Sequence, residues 1–325
     1  MKKRQSKMLA ALAAVFVLAF VAVCGGLLLM EPTVLPDEPG TAAVPSKTVT
    51  KNGIDYYPRQ DITVILLMGI DEPGPARSSM SYNNKGESDM VVLAVIDESR
   101  EVCRMLALNR DTMMEIPVLG LGGKQAGIKV AQLALAHTYG SGLEDSCENT
   151  RKAVSKFLGG ITVDYYISMN LDAVPILNDA VGGVEVTVTD DFSLVDETIQ
   201  QGRMVLRGPQ ALSFVQTRWN VGDHLNLSRM ERQKEYMENF LEALRRKTDA
   251  TENFVLDTYE MVAPYLVSDI PLSTLSGMVD RYKNHAVSEF LSLEGENVLG
   301  EEYYEFYADP DKLEDLILEL FYAPQ

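Results

Sequence analysis

The chain has 325 residues, with 29 Lys and Arg against 47 Asp and Glu, a net charge of −18. Lys2, Lys3, Arg4 and Lys7 carry the only charges in the first thirty residues, so the rest holds 25 basic and 47 acidic residues, a net of −22. That surplus excludes a nucleic-acid binder, which needs a basic face against phosphates. A content of 46% hydrophobic and 23% charged residues excludes a disordered chain.

Residues 1–7 form a basic tip, and Met8–Met30 is uncharged. A helix of about 20 apolar residues crosses a hydrocarbon core of about 30 Å, so 8–30 is predicted to be a transmembrane helix. The positive-inside rule puts the tip in the cytoplasm and everything after Met30 outside, a single-pass cell-membrane protein. A cleaved signal peptide is the rival, although its apolar region is shorter, about 7–15 residues. Lipid attachment at Cys24 is another, for which Val23 is a poor neighbour. Residues 31–58 carry Pro32, Pro36, Pro39, Pro45 and Pro58 among polar residues and read as a tether. Outside the membrane only Cys103 and Cys147 remain, either one bridge or two buried thiols.

Residues 59–250 read as one domain. Asp61–Gly69, Asp89–Asp97 and Val102–Asn109 are apolar, β-branched runs, hence buried strands, with a turn at Asp97-Glu98-Ser99-Arg100. Ile128–Tyr139 and Asp145–Leu158 are predicted helices, and Tyr165–Asn170 a strand. Leu171–Val181 is a helix stopped by Gly182-Gly183, and Val184–Val188 a strand. Gly208–Val215 and Ser228–Arg246 are helices, the latter opened by a capping box of Ser228 and Glu231. Met230, Met237, Leu241 and Leu244 make its apolar stripe. The alternation defines an α/β fold with a mixed central sheet flanked by helices. Residues 251–325 are acidic, amphipathic stretches ending in Leu313–Phe321, predicted to be a helical C-terminal extension.

Three clusters carry possible chemistry. Asp71 ends the first strand and Asp89 begins the second, so an antiparallel pairing puts both at one sheet edge, beside the long loop Glu72–Ser88. Two such carboxylates suit Mg²⁺, which leaves other positions for phosphate oxygens and water; the alternative is turn hydrogen bonding. Arg110 follows a buried strand and must either contact an anion or pair with a carboxylate such as Asp111. Arg229 and Gln233 share a helix face. Arg229 sits in the first turn, where the dipole disfavours a cation unless an anion is held there; a solvated arginine is the alternative. The chain has no HExxH, paired CxxC, GxxxxGK[ST] or GxSxG, which removes the best support for zinc peptidase, P-loop and serine hydrolase chemistry. His137, His224 and His285 are scattered.

Several segments, in order, resemble the LytR-CpsA-Psr family of membrane-anchored cell-wall enzymes. They are ILLMGID with Asp71, ESDMVVLAVID with Asp89, LALNRDTMMEIP with Arg110 and Asp111, DYYISMNLDAVPILNDAVGGVEVTV, GPQALSFVQTR with Arg218, and LSRMERQ with Arg229 and Gln233. The resemblance runs from about Ile62 to Lys247. It implies transfer of an anionic glycopolymer or related glycan from a polyprenyl-pyrophosphate carrier to a peptidoglycan acceptor, forming a phosphodiester. By the same resemblance Asp71 and Asp89 hold Mg²⁺, and Arg110, Arg218, Arg229 and Gln233 hold the pyrophosphate. Arg110 and Asp111 are the expected catalytic residues, with either Asp111 or a metal aspartate as the base. Glu87 and Gln216 depart from it, each standing where relatives usually carry arginine; Arg77, Lys85 and Lys129 are candidate replacements. Those departures keep two further readings open, a non-catalytic polyprenyl-phosphate binder and a lipid pyrophosphatase.

Overall fold

The computed structural model describes residues 48–324 apart from 80–83, 121–122, 223–225, 252–253, 272–273, 275–277, 279–280, 282–285 and 302. The expected membrane helix, most of the tether, His224 and His285 lie outside these residues. Among the described residues no helix is long and apolar enough to cross a membrane.

The end of the expected tether is folded: β1 (Val49–Lys51) and β2 (Ile54–Pro58) form a hairpin. An antiparallel meander follows, made by β3 (Ile62–Asp71), β4 (Glu87–Asp97) and β5 (Val102–Leu108). β3 and β4 read as continuous apolar runs because both of their faces are covered.

β6 (Met113–Leu119) and β7 (Gln125–Gln132) make a separate hairpin that leads into a 3-10 turn at Leu133–Ala136. This corrects the helix expected over Ile128–Tyr139. Ile128 and Val130 are β-branched at a spacing of two, and pairing with β6 satisfies their backbone. Then come α1 (Glu144–Phe157), β8 (Tyr165–Asn170), α2 (Ala173–Ala180), β9 (Val184–Val188) and β10 (Gly202–Leu206). α3 (Pro209–Gln216), α4 (Asn226–Ala250) and α5 (Phe254–Val262) continue the chain. β11 (Leu266–Ser268), β12 (Ala286–Ser292), β13 (Gly295–Leu299), β14 (Tyr304–Ala308), α6 (Pro310–Phe321) and β15 (Tyr322–Pro324) complete it.

The central sheet has six strands in the order β11-β8-β3-β4-β5-β12. β8 runs parallel to β3 and β12 parallel to β5, while the other neighbours are antiparallel, so the sheet is mixed as expected. The segment after residue 250 is not the helical extension expected. It supplies both edge strands, and β15 pairs with β2. Without them β5 and β8 would present open backbone edges.

One face of the sheet carries Leu66, Met68, Leu93 and Leu106 and packs on α1, the 3-10 turn and α6. The other carries Ile65, Leu67, Ala94 and Met105 and packs on Met237 and Leu241 of α4. The neighbouring face of α4, with Tyr236, Phe240 and Leu244, packs against β9, β10 and α3. One helix thus serves two cores, which explains a stripe wider than the expected Met230-Met237-Leu241-Leu244. The helix also starts at Asn226, before the expected Ser228 cap. Gly183 has φ +89°, and a Cβ there would lie 2.7 Å from the Leu206 carbonyl oxygen, so only glycine fits between α2 and β9. Cys103 and Cys147 are free, buried thiols on opposite faces of the sheet.

His137 is buried behind the 72–88 loop, its Nδ1–H donating to the Gly86 carbonyl at 2.8 Å. Burial pushes it down to about 4, against the partial upward pull of the Gly86 carbonyl and Asp145. The folded group therefore binds its proton less readily than the unfolded one. Its contribution is present above the unfolded value of about 6.5 and lost as pH falls towards 4. We expect up to roughly 3 kcal/mol of stability to disappear over that window. Urea midpoints at several pH values should flatten in His137→Gln; an unchanged slope would remove His137 as the cause.

Candidate anion-binding site

The β3–β4 register slips between Gly69 and Ile70: Gly69 faces Met90 and Ile70 faces Ser88. Asp89 is the extra residue of this bulge, and bulges of this kind re-aim a side chain at the end of a ladder. The Asp89 side chain, only 5% exposed, accepts from Arg229 Nη1 at 2.7 Å and from Arg110 Nη1. Arg229 Nη2 and Nε also donate to Asn226 Oδ1, at 2.6 and 3.0 Å. Arg229 is thus a buried partner of Asp89 rather than a solvated residue. Burial, reinforced by the nearby Arg110 and Arg218 guanidiniums, pushes it down to about 9, still a cation at neutral pH.

Arg110 leaves the end of β5 through the turn Asn109–Thr112. Its second Nη donates to Glu87, which lies directly across the β3–β4 ladder from Asp71. Arg110 Nε lies 3.6 Å from Asp111 Oδ1 and has no hydrogen-bond partner among the described residues. Asp111 accepts from Arg218 Nη1 at 3.2 Å and Gln132 Nε2 at 3.2 Å. Burial raises the Asp111 carboxyl, outweighing the pull of Arg110, Arg218 and Arg229. Asp111, expected to be catalytic, is closed off from solvent and lies between Arg110 and Arg218.

Of the expected residues, then, Asp89, Arg110, Asp111, Arg218 and Arg229 come together. Asp71 lies exposed at the same sheet end and accepts from Gln216 Nε2 at 2.7 Å. Gln233 donates to the Val215 carbonyl at 3.0 Å and borders the cluster without pairing with its charges. Arg77 and Lys85 line a separate cavity of about 290 Å³ with His137 and Asn84, whose walls include none of the three arginines. Lys129 is exposed on β7. Asn109, Gln132 and Asn226 escaped the sequence reading. Asn226 was findable as an N-terminal asparagine three residues before Arg229, whereas Gln132 joins only through tertiary packing.

Among the described residues no group of three or more His, Cys, Asp and Glu is placed to hold a metal. The donor set at the sheet end, two carboxylates without nitrogen or sulfur, nonetheless suits Mg²⁺, which needs only one or two protein carboxylates. Asp71 is available for this; Asp89 would have to release one arginine to an incoming anion. Guanidiniums already oriented by carboxylates can transfer to phosphate oxygens, which they bind in the same forked geometry. Beside Asp89 a narrow apolar groove runs between the sheet and α4, lined by Met90, Val92, Ala107, Met230, Met237 and Phe290.

Fold and cluster together define an α/β domain with arginines gathered at the mouth of an apolar groove. The chain belongs to the LytR_cpsA_psr family, whose family model matches residues 38–320. It is 31% identical over 176 residues to a Bacillus cereus protein named polyisoprenyl-teichoic acid–peptidoglycan teichoic acid transferase TagU, covering 54% of this chain and 50% of that protein. The match thus spans about half the length of that relative. Among solved structures, gbs0355 from Streptococcus agalactiae aligns with a TM-score of 0.65 at 23% identity, over 80% of this chain and 86% of that one. TagT bound to LI-WTA aligns with a TM-score of 0.60 at 25% identity, over 80% of this chain and 90% of that one.

Proposed function

We propose that this protein transfers a glycan from a polyprenyl-pyrophosphate carrier to peptidoglycan, at the outer face of the membrane that residues 8–30 anchor it to. The observation that carries this reading is the row of Arg229, Arg110 and Arg218 beside the apolar groove. The three arginines hold the pyrophosphate and offset its charge, which is the main demand of phosphoryl transfer. A wall hydroxyl oxygen forms a bond to the glycan-side phosphorus, the bond from that phosphorus to the lipid phosphate breaks, and the hydroxyl proton leaves to solvent. The proton is assigned to solvent because Asp111 is buried under Arg218 and Gln132. Mg²⁺ held by Asp71 and Asp89 would supply further charge neutralisation. The groove is narrow, and its three methionines are flexible enough to re-pack around a polyprenyl chain.

The ion pair of Glu87 with Arg110 favours a second reading, a binder of polyprenyl phosphates without turnover. One assay separates the two: full-length protein in liposomes with a lipid-pyrophosphate-linked glycan and peptidoglycan, in Mg²⁺ or in chelator. Transferase activity requires a phosphodiester-linked product and released polyprenyl phosphate in Mg²⁺. Arg110→Ala is expected to lower the rate by about 100-fold or more, as loss of a charge-stabilising donor does. Bound lipid without product would establish the binder instead.

A further inference from the structure

Trp219 is the only tryptophan of the chain, and it is 60% exposed. A single exposed aromatic is ordinary on a protein surface; here its position matters. The Arg218 guanidinium lies over the indole, 5.0 Å from the ring centroid. Arg218 is tied to Asp111 at 3.2 Å, Asp111 lies 3.6 Å from Arg110, and Arg110 is bonded to Asp89 at the rim of the apolar groove. Groove, arginines and indole are therefore linked by one continuous series of contacts, with the indole next to Arg218.

The turn that carries the indole is held on both sides. The Thr217 amide donates to Ser213 at 3.2 Å, and the Thr217 carbonyl accepts from Arg232. On the far side Val221 is buried in the core shared by β9, β10, α3 and α4. The ring is thus presented from a fixed backbone, which lowers the ordering cost of binding. A large aromatic face is suited to the C–H face of a sugar ring, as aromatic side chains are to ligands with one apolar and one polar side.

We propose that Trp219 is the platform on which the first sugar of the lipid-linked glycan stacks. The proposal rests on the reading of the arginine row as a pyrophosphate site. A ligand with its tail in the groove and its phosphates along the row brings its next group, the first sugar, to the indole.

The test uses the full-length protein in detergent and two probes, a short-chain polyprenyl diphosphate bearing one N-acetylglucosamine and the same diphosphate without sugar. As the only tryptophan, Trp219 reports directly by its own fluorescence. Its emission is expected to change with both probes, because the diphosphate engages Arg218 above the ring, and to change further and be shielded from a soluble quencher only with the sugar-bearing probe. Trp219→Ala should weaken the sugar-bearing probe by about tenfold, Trp219→Phe by less, and leave the sugar-free probe unchanged. Equal weakening of both probes by Trp219→Ala would overturn the proposal while leaving the pyrophosphate reading in place. So would an emission shift produced by sugar-free lipid vesicles, which marks a membrane-interface anchor. Failure of wild-type protein to bind either probe overturns the pyrophosphate reading and the proposal with it.

Discussion

Arg229→Met is expected to cost about 3–5 kcal/mol of folding stability, because it strips a buried carboxylate of one of its two cations. Arg229 is almost wholly buried, and Asp89 beside it is only 6% exposed. Methionine fills much of the space but leaves Asp89 to Arg110 alone, and Asn226 loses both of its guanidinium donors. Transfer should be lost at the same time, since the same guanidinium is expected to meet the phosphate. Denaturant unfolding of Arg229→Met, Asp89→Asn and the double variant separates pair from packing. The double variant should be more stable than the two single losses added together, by at least about 1 kcal/mol. Additive losses would mean that Arg229 and Asp89 do not depend on each other.

Glu87→Arg is expected to tighten binding of inorganic pyrophosphate by about tenfold or more, and Glu87→Gln by a smaller factor in the same direction. Glu87 takes one Nη of Arg110 and is 38% exposed, so it competes at the mouth for a donor that a phosphate needs. Removing an ion pair this open costs little stability, about 0–1 kcal/mol, so the gain in affinity should not be hidden by unfolding. Calorimetric titration at two salt concentrations measures it, and the advantage of Glu87→Arg should shrink at high salt. Weaker binding in both variants would show that Glu87 positions Arg110 rather than competes for it.

Glu87 also shows where reading by residue type stops. Read along the chain, it counts only as a missing cation. In the fold it is the cross-strand partner of Asp71 and the cap on Arg110, so the change adds a competing anion as well. Gln216, the other departure, holds Asp71 instead of a phosphate. The β3, β4, β5, β8 and β9 segments were legible because buried strands write continuous or alternating apolar patterns into the chain. β7 was not legible: IKVAQLALAH fits a helix as well as a strand, and only pairing with β6 decides between them.

By itself the sequence determined the α/β class, the mixed sheet, the long helix and the acidic balance of the chain after residue 30, since these follow from local periodicity and composition. It brought forward three clusters, which the family resemblance joined into one set of Asp71, Asp89, Arg110, Asp111, Arg218, Arg229 and Gln233. Tertiary structure alone decided how their charges are shared. A one-residue bulge turns Asp89 to face Arg110 and Arg229. Burial closes Asp111 off beneath Arg218 and Gln132, and the segment after residue 250 returns to close both sheet edges. These outcomes depend on which groups meet across stretches of 21 to 140 or more residues of sequence, and on how much water each loses in meeting. Neither quantity is written in the spacing of residues along the chain.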